Sequence, residues 1–381
     1  MSKKSKNEYL IEIRKRYLKE NKEEKQKILD EFCRICKYNR KYAIRLINKK
    51  SLSIKVKKRL KPGPKAKYNT SGIVQFLKDL WMSTNLICSP RLKAIIPYWI
   101  TCYKSEKNIL TKKEETLLRE ISPATIDRLL SSFRGRYEKR GLSTTRPGSM
   151  IRELIPIKTE QWNESRPGFV EVDTVAHCGS NVSGEYTNTV NMVDIATGWT
   201  IQRAVWGKGE TNTFKAIREI ELTLPFKLKG FDCDNGKEFM NYRLLKYFKN
   251  RTPPVSYTRS RAYHKNDNSH IEEKNWTIVR QYIGYDRLDK PNQVEQLNNI
   301  YKNELYWLVN FFIASTKLKS KKRIGSKIKK IHDKPKTPFE RLCDTIYIDE
   351  EKKLELIRLR NKLNPFELQR RIKEKLKLVH S

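Results

Sequence analysis

Three acidic residues are spaced so that a folded chain could gather them: Asp173, Asp234 and Glu272, with 60 residues between the first two and 37 between the second two. Asp173 closes the alternating run Phe169-Val-Glu-Val-Asp173 and precedes Thr174. Asp234 ends Gly230-Phe-Asp-Cys-Asp234 and leads into Asn235-Gly236, a pair that lets the backbone turn sharply. Glu272 falls in the first turn of a helical stretch. Clustered carboxylates repel one another and shift toward their neutral forms unless a cation neutralises them. Hard oxygen ligands with open positions select Mg2+ or Mn2+. Two such ions ~3.5–4 Å apart activate a water or a 3′-hydroxyl and stabilise the leaving oxygen of a phosphodiester. Two rivals stay open on spacing alone. Asp232 shares a strand face with Asp234, although the Asn-Gly turn favours Asp234, and Glu273 lies about 100° around the helix from Glu272. Asp194, before Ala-Thr-Gly, reads as a turn former.

The elements that must position these acids follow from the pattern of apolar residues. Phe169–Asp173 alternates as a strand. Thr189–Asp194 and Trp199–Trp206 form an antiparallel hairpin about the turn Ala196-Thr-Gly198, with Trp199 and Trp206 as core residues. Thr211–Leu222 is helical, Gly230–Asp234 a strand, Lys237–Lys249 a helix and Val255–Thr258 a short strand. The polar loop Arg259–Asp267 leads into a helix over Asn268–Ile283. Three strands, a helix, a strand, a helix, a short strand and a long helix is close to the order of the α/β ribonuclease-H-like fold, a mixed sheet with helices on both faces. In this frame Tyr263 and His264 lie in the loop before the long helix, where they touch DNA or shape the site. Asn268 caps the helix, and His177 is either near the acids or satisfies a strand end.

The flanking segments read as all-α. Tyr9–Tyr17, Glu23–Cys36 and Arg40–Lys49 outline a helix-turn-helix within residues 1–60, and Lys61-Pro-Gly-Pro-Lys65 is a linker. Residues 66–143 form a second helical, DNA-binding unit. It comprises Ile73–Met82, Ser89–Ile96 ended by Pro97, Ala124–Leu130 after the start signal Ser122-Pro123, and the basic run Arg134–Arg140. Residues 144–164 are a linker, 165–300 the catalytic core and 301–381 a basic helical region. Within that region Lys317–Lys336 holds ten Lys or Arg among twenty residues, a solvated loop or a phosphate track. Glu350–Val379 is amphipathic, interrupted at Asn364-Pro365, and suited to packing on the core or on another subunit.

Composition limits the class. In 381 residues, 81 Lys and Arg stand against 43 Asp and Glu, a formal net charge of +38, which points to a polyanion and first to nucleic acid. The longest stretch without a charge is Leu305–Thr316, twelve residues, against about 18–20 for a membrane span, so no transmembrane helix is expected. No apolar run follows Met1-Ser-Lys-Lys-Ser-Lys, so no secretory signal is expected either. Seven cysteines suit free thiols in a reducing cytosol. Cys33-x-x-Cys36 has no histidine before His177 to complete a ligand set, so no zinc is expected, and Cys88 and Cys102 read as buried or incidental.

Val-Asp173-Thr, Asp234-Asn-Gly-Lys-Glu-Phe239 and Tyr263-His-Lys-Asn-Asp-Asn-Ser-His-Ile-Glu272 resemble the three blocks of the DDE catalytic domain shared by retroviral integrases and the integrase-like transposases of bacterial insertion sequences. The resemblance covers roughly residues 165–290. It implies that Asp173, Asp234 and Glu272 are the catalytic residues and hold two Mg2+ or Mn2+ ions. It further implies strand cleavage at element ends and 3′-hydroxyl strand transfer into target DNA. The partners it implies are terminal inverted repeats, target DNA and a second copy of the chain or more, in the cytoplasm. The chain departs from the retroviral pattern in lacking a His-His-Cys-Cys zinc domain before the core. Trp276 and Arg280 stand where lysines often follow the catalytic glutamate, and Arg280 is the candidate for that DNA contact. The alternatives are a ribonuclease-H-like nuclease that cuts without joining and a non-catalytic helix-turn-helix regulator derived from a transposase.

Overall fold

The structure, a computed structural model, describes residues 1–49, 67–107, 110–134, 164–260, 269–324 and 327–381. Both expected linkers, the run 135–140 and the loop residues Tyr263, His264 and Asn268 lie outside the described residues. The chain divides into two compact units, Met1–Lys65 and Ala66–Ser381.

The first unit holds three helices, α1 (Lys3–Lys19), α2 (Lys22–Cys36) and α3 (Arg40–Ile47). Asn21 opens α2 by accepting from the Glu24 amide, and Lys37 closes it in the left-handed region at φ 54°. Asn39 then caps α3 by accepting from the Lys41 amide. Leu10, Ile13, Leu29, Phe32, Ala43 and Ile47 meet in a separate small core.

The second unit begins with α4 (Ser71–Ser83), α5 (Ser89–Lys107), α6 (Lys112–Glu120) and α7 (Pro123–Arg134). Pro97 does not end α5, which continues through it to Lys107. Proline costs an interior helix about 3 kcal/mol. Here Ile95, Ile96, Trp99, Ile100 and Tyr103 bury against neighbouring elements on either side of it and outweigh that cost.

A five-stranded sheet follows: β1 (Phe169–Ala176), β2 (Thr187–Asp194), β3 (Thr200–Trp206), β4 (Gly230–Cys233) and β5 (Ser256–Arg259). The spatial order is β3-β2-β1-β4-β5; β1–β2 and β2–β3 are antiparallel, β1–β4 and β4–β5 parallel. Helices α8 (Glu210–Leu222) and α9 (Tyr242–Lys249) cross over between the later strands. On one face Phe231 of β4 packs on Phe248 of α9 at 4.8 Å. The other face carries Glu171 and Asp173 of β1 and the helix that begins at Ser269. Strand order, strand sense and helices on both faces together define a ribonuclease-H-like core. Trp199 is buried in it, but Trp206 is only half-buried and donates its indole N–H to Glu185 at 2.7 Å.

That last helix runs as α10 (Ser269–Lys274), a π-helical turn (Asn275–Arg280) and α11 (Gln281–Ile283). Next come α12 (Asn292–Ile300), a second π-helical turn (Tyr301–Leu305) and α13 (Tyr306–Phe311). The basic run then departs from the expected loop or helix. It forms an antiparallel hairpin of β6 (Leu318–Ile324) and β7 (Lys327–His332), so 301–381 is not purely helical. Gly325-Ser326 between the two runs was the one turn signal, since consecutive lysines leave no polar–apolar alternation. Helices α14 (Pro338–Cys343), α15 (Glu350–Asn361) and α16 (Pro365–Val379) complete the chain.

The helices from Ser71 to Arg134 share one hydrophobic core with the sheet and do not stand as a separate unit. Trp99 of α5 meets Phe366 of α16 edge-on at 4.7 Å and donates its indole N–H to the Phe312 carbonyl at 3.2 Å. The Tyr98 hydroxyl donates to the Arg360 carbonyl at 2.9 Å. Trp99→Ala is therefore expected to cost about 3–5 kcal/mol. In denaturant titrations, helical and sheet signals of residues 66–381 shift together; a sheet signal that stays in place would separate the helices from the core.

Candidate active site

Parallel pairing of β1 with β4 sets the site. Val172 lies opposite Cys233 in register, so the next residue on each strand, Asp173 and Asp234, emerges at the same edge. Asp173 Oδ1 accepts from the Thr174 amide at 2.7 Å, and its Oδ2 accepts from Asn275 Nδ2 at 2.7 Å. Asn275 is itself oriented: its Oδ1 accepts from Asn191 Nδ2 at 2.8 Å, and Asn191 Oδ1 accepts from Gln202 at 2.9 Å. A buried amide chain reaching across β2 and β3 thus aims one hydrogen-bond donor at one carboxylate.

Asp234 is held by its own turn. Its Oδ1 accepts from the Gly236 amide at 2.9 Å, and Asn235 donates to the Ser260 carbonyl at 3.0 Å, tying the turn to the end of β5. A Cβ on Gly236 would stand 2.8 Å from Asp234 Oδ1 and 2.7 Å from Glu238 Oε2, so only glycine lets these two carboxylates close on the turn. Glu238 is buried, accepts from the Thr174 hydroxyl at 3.1 Å and stands 3.7 Å from Lys208 Nζ.

The electrostatics follow from this packing. Burial, and then the charge of Asp234, push the Asp173 carboxyl well above the usual range, against the hydrogen bonds from Thr174 and Asn275. Burial, and then the charge of Glu238, raise Asp234 in the same sense, while Lys208 pulls the other way. Neither Asp173 nor Asp234 has an ion-pair partner among the described residues. Two half-buried carboxylates side by side, raised and without an ion-pair partner among the described residues, are a place for a cation.

Glu272 sits on α10, exposed, one turn before Asn275. At about 100° per residue it lies about 60° from Asn275 around the helix axis, whereas Glu273 lies about 160° away. Glu272 is thus closer than Glu273 in helical phase to Asn275, the residue that reaches Asp173. Glu171, two residues before Asp173, anchors the start of this helix by accepting from the His270 and Ile271 amides at 3.1 and 3.0 Å. The structure brings Asp173 and Asp234 together and leaves Glu272 apart from them. Among the described residues no group of three or more His, Cys, Asp or Glu is set to hold a metal.

The rival Asp232 is fully buried and accepts from the Thr258 hydroxyl at 2.6 Å. Asp194 is the expected turn residue, accepting from the Gly168 and Thr197 amides, both at 2.8 Å. Arg280 is half-buried, its guanidinium 4.9 Å from the Tyr285 ring centroid. Cys33 and Cys36 pack within the first unit, and Cys88 is exposed rather than buried. Glu171, Glu238 and Asn275 were missed because each becomes informative only through a tertiary partner. Glu238 alone carried a signal, its place in the Asp-Asn-Gly-Lys-Glu block.

The fold and the paired carboxylates define an α/β protein with a ribonuclease-H-like core carrying an acidic site at the β1–β4 edge. The chain is 35% identical over 339 residues to the uncharacterized protein y4rM of Sinorhizobium fredii, covering 86% of this chain and 92% of that one, and it belongs to the same family. No protein-family model matches it. Among solved structures it is similar to the catalytic core domain of BIV integrase, at 13% identity over 45% of this chain and 91% of that one, TM-score 0.30. It is also similar to the HTLV-2 integrase catalytic core in complex with magnesium, at 13% identity over 39% and 90%, TM-score 0.29. The fold is defined by the strand order itself and not by these similarities. No helix among the described residues is long and apolar enough to cross a membrane.

His177 lies beyond the end of β1, fully buried, with Nε2 2.8 Å from the Thr189 hydroxyl, which in turn lies 2.8 Å from the Tyr301 hydroxyl. It serves the strand end. Burial, aided by Arg280, pushes it down to about 3. Below pH 6.5 the unfolded chain takes up a proton that the folded one refuses, so this histidine's contribution is intact above 6.5 and is lost as pH falls toward 3. At pH 5 the loss is about 2 kcal/mol. Relative to wild type, His177→Gln is expected to recover most of that difference between pH 7 and pH 5 in chemical denaturation; parallel pH curves would contradict it.

Proposed function

We propose that this protein is a DNA transposase of the DDE type, cutting at the ends of an insertion sequence and joining the freed 3′-hydroxyls to target DNA. The observation that carries the reading is the half-buried pair Asp173 and Asp234, raised and without an ion-pair partner among the described residues, at the edge of a ribonuclease-H-like sheet. The donor set fits a hard divalent cation. Asp173 and Asp234 supply hard anionic oxygens, each with one oxygen fixed by a backbone amide, and a divalent cation between them would relieve their repulsion. Asp173, Asp234 and Glu272 would hold the metal, two ions being the number this chemistry commonly uses. When bound, such ions supply a nucleophile of lowered pKa and neutralise charge on the leaving oxygen.

The chain's own groups do the rest. Asn275 and the Thr174 amide fix the Asp173 carboxylate, so its free lone pairs face the strand edge without rearrangement. Gly236 and Asn235 do the same for Asp234. The net charge of +38 supplies nonspecific affinity for phosphates, and the three-helix unit near the N-terminus is the proposed reader of terminal repeats. Tyr263, His264 and Asn268 in the preceding loop, with Arg280 on the helix, are proposed to shape the site or touch DNA. Concerted cutting at two ends calls for a dimer or larger assembly on DNA.

The DNA flanking the gene is expected to carry imperfect inverted repeats. Labelled duplexes ending in those repeats, mixed with protein, supercoiled plasmid and Mg2+, become joined to the plasmid; EDTA abolishes joining. Asp173→Asn, Asp234→Asn and Glu272→Gln each reduce cleavage and joining at least about a thousandfold, with repeat binding retained in gel shift. Cleavage without joining would instead identify a nuclease, and binding with neither product a DNA-binding protein without catalysis.

A further inference from the structure

Beside the helix that starts at Ser269, a second polar feature lies outside the acidic site. The turn between α4 and α5, the inner face of that helix and α13 enclose a cavity of about 150 Å3. Among the described residues, no Asp or Glu lines it. Its polar lining is instead rich in donors. Lys274 is only 8% exposed, and its ammonium has no hydrogen-bond or ion-pair partner among the described residues. Asn85 Nδ2 and the Tyr282 hydroxyl are buried in the same lining without a partner. Arg91 donates through Nε to the Ala314 carbonyl, which holds its guanidinium at the cavity wall. The charge of Glu273, next to it in the chain, acts favourably on Lys274 from outside the cavity lining, while Arg91, Arg341 and Lys317 add opposing positive potential.

Buried donors left without acceptors are unstable in isolation, and a buried ammonium is the costliest of them. Several such groups lining one cavity that no acid lines leave room for an acceptor that comes from outside. A planar carboxylate presents two oxygens; a tetrahedral phosphate presents oxygens in several directions, as the Lys274, Asn85, Tyr282 and Arg91 donors require. The rim carries exposed Cys88 and Gln281, so the space is open to solvent on one side. We propose that this cavity is a phosphate-binding pocket, occupied by a phosphate group that belongs either to a nucleic-acid strand or to a free anion. Binding there requires neither a divalent metal nor strand cleavage, so it stands or falls separately from the transposase reading.

The test uses the full-length chain in EDTA, titrated with sodium phosphate against sodium chloride of equal ionic strength and followed by calorimetry and thermal unfolding. Wild type is expected to bind phosphate saturably and to melt at higher temperature with it. Tyr282→Phe, which removes one hydroxyl, weakens binding roughly tenfold. Lys274→Met keeps the aliphatic stem, abolishes the phosphate response and melts in chloride no lower than wild type. Lys322→Met, on the exposed hairpin, behaves as wild type. Short oligonucleotides with and without a 5′-phosphate identify the source. Competition that depends on the 5′-phosphate assigns the pocket to a strand end, and phosphate binding unaffected by either oligonucleotide assigns it to the free anion. A phosphate response no greater than that to chloride, or one equally strong in Lys274→Met, overturns the proposal.

Discussion

Mutual repulsion between Asp173 and Asp234 is the constraint on which the rest of this structure depends. At these neighbouring, half-buried strand ends the charge of Asp234 raises the proton affinity of Asp173, and the charge of Glu238 raises that of Asp234, so the carboxylates would separate if the backbone allowed it. The fold does not allow it. The β1–β4 register fixes the two strand ends, Gly236 admits the close approach of Asp234 and Glu238, and Asn275 holds Asp173 from the facing helix. A site that stores unfavourable charge in this way needs a rigid surround, because any loosening would relieve it.

That surround extends well beyond the sheet. The helices from Ser71 to Arg134 and the C-terminal α16 share aromatic contacts at Trp99, Tyr103 and Phe366 and merge with the core of the sheet. Buried amides add direction to this packing. Asn310 bonds both backbone groups of Thr200, and Asn298 both backbone groups of Ala204, so α13 and α12 are keyed to β3 residue by residue. Polar groups buried with every partner in place fix one arrangement where apolar packing alone tolerates several. The described helices of the segment 66–143 therefore pack as part of the same core as the sheet.

The sequence made the core legible where the signal was local. The alternating strands, the Asn-Gly turn after Asp234 and the turn role of Asp194 needed only neighbours along the chain, and the structure agrees with them. The order of strands and helices was enough to reach the fold class because few topologies accommodate it. Three other readings failed for non-local reasons. Pro97 sits inside a helix because tertiary burial outweighs one missing hydrogen bond, and Trp206 leaves the core because it lies at the end of an edge strand. The β6–β7 hairpin was hidden by its charge, since its runs of consecutive lysines leave no polar–apolar alternation. Within the site, Asp173 and Asp234 could be proposed from spacing, whereas Glu171 and Asn275 could not, since their roles exist only across about 100 residues of chain, with separations of 100 and 102. The phase of Glu272 and Glu273 relative to Asn275 likewise exists only in the fold.

The most direct test of the central claim is anomalous diffraction from crystals of the protein soaked in Mn2+. The account predicts a manganese peak between the Asp173 and Asp234 carboxylates, with Glu272 rather than Glu238 as the third acid in contact. It also predicts loss of that peak in Asp173→Asn crystals. A site without manganese, or manganese held by Glu238 while Glu272 faces solvent, would contradict it.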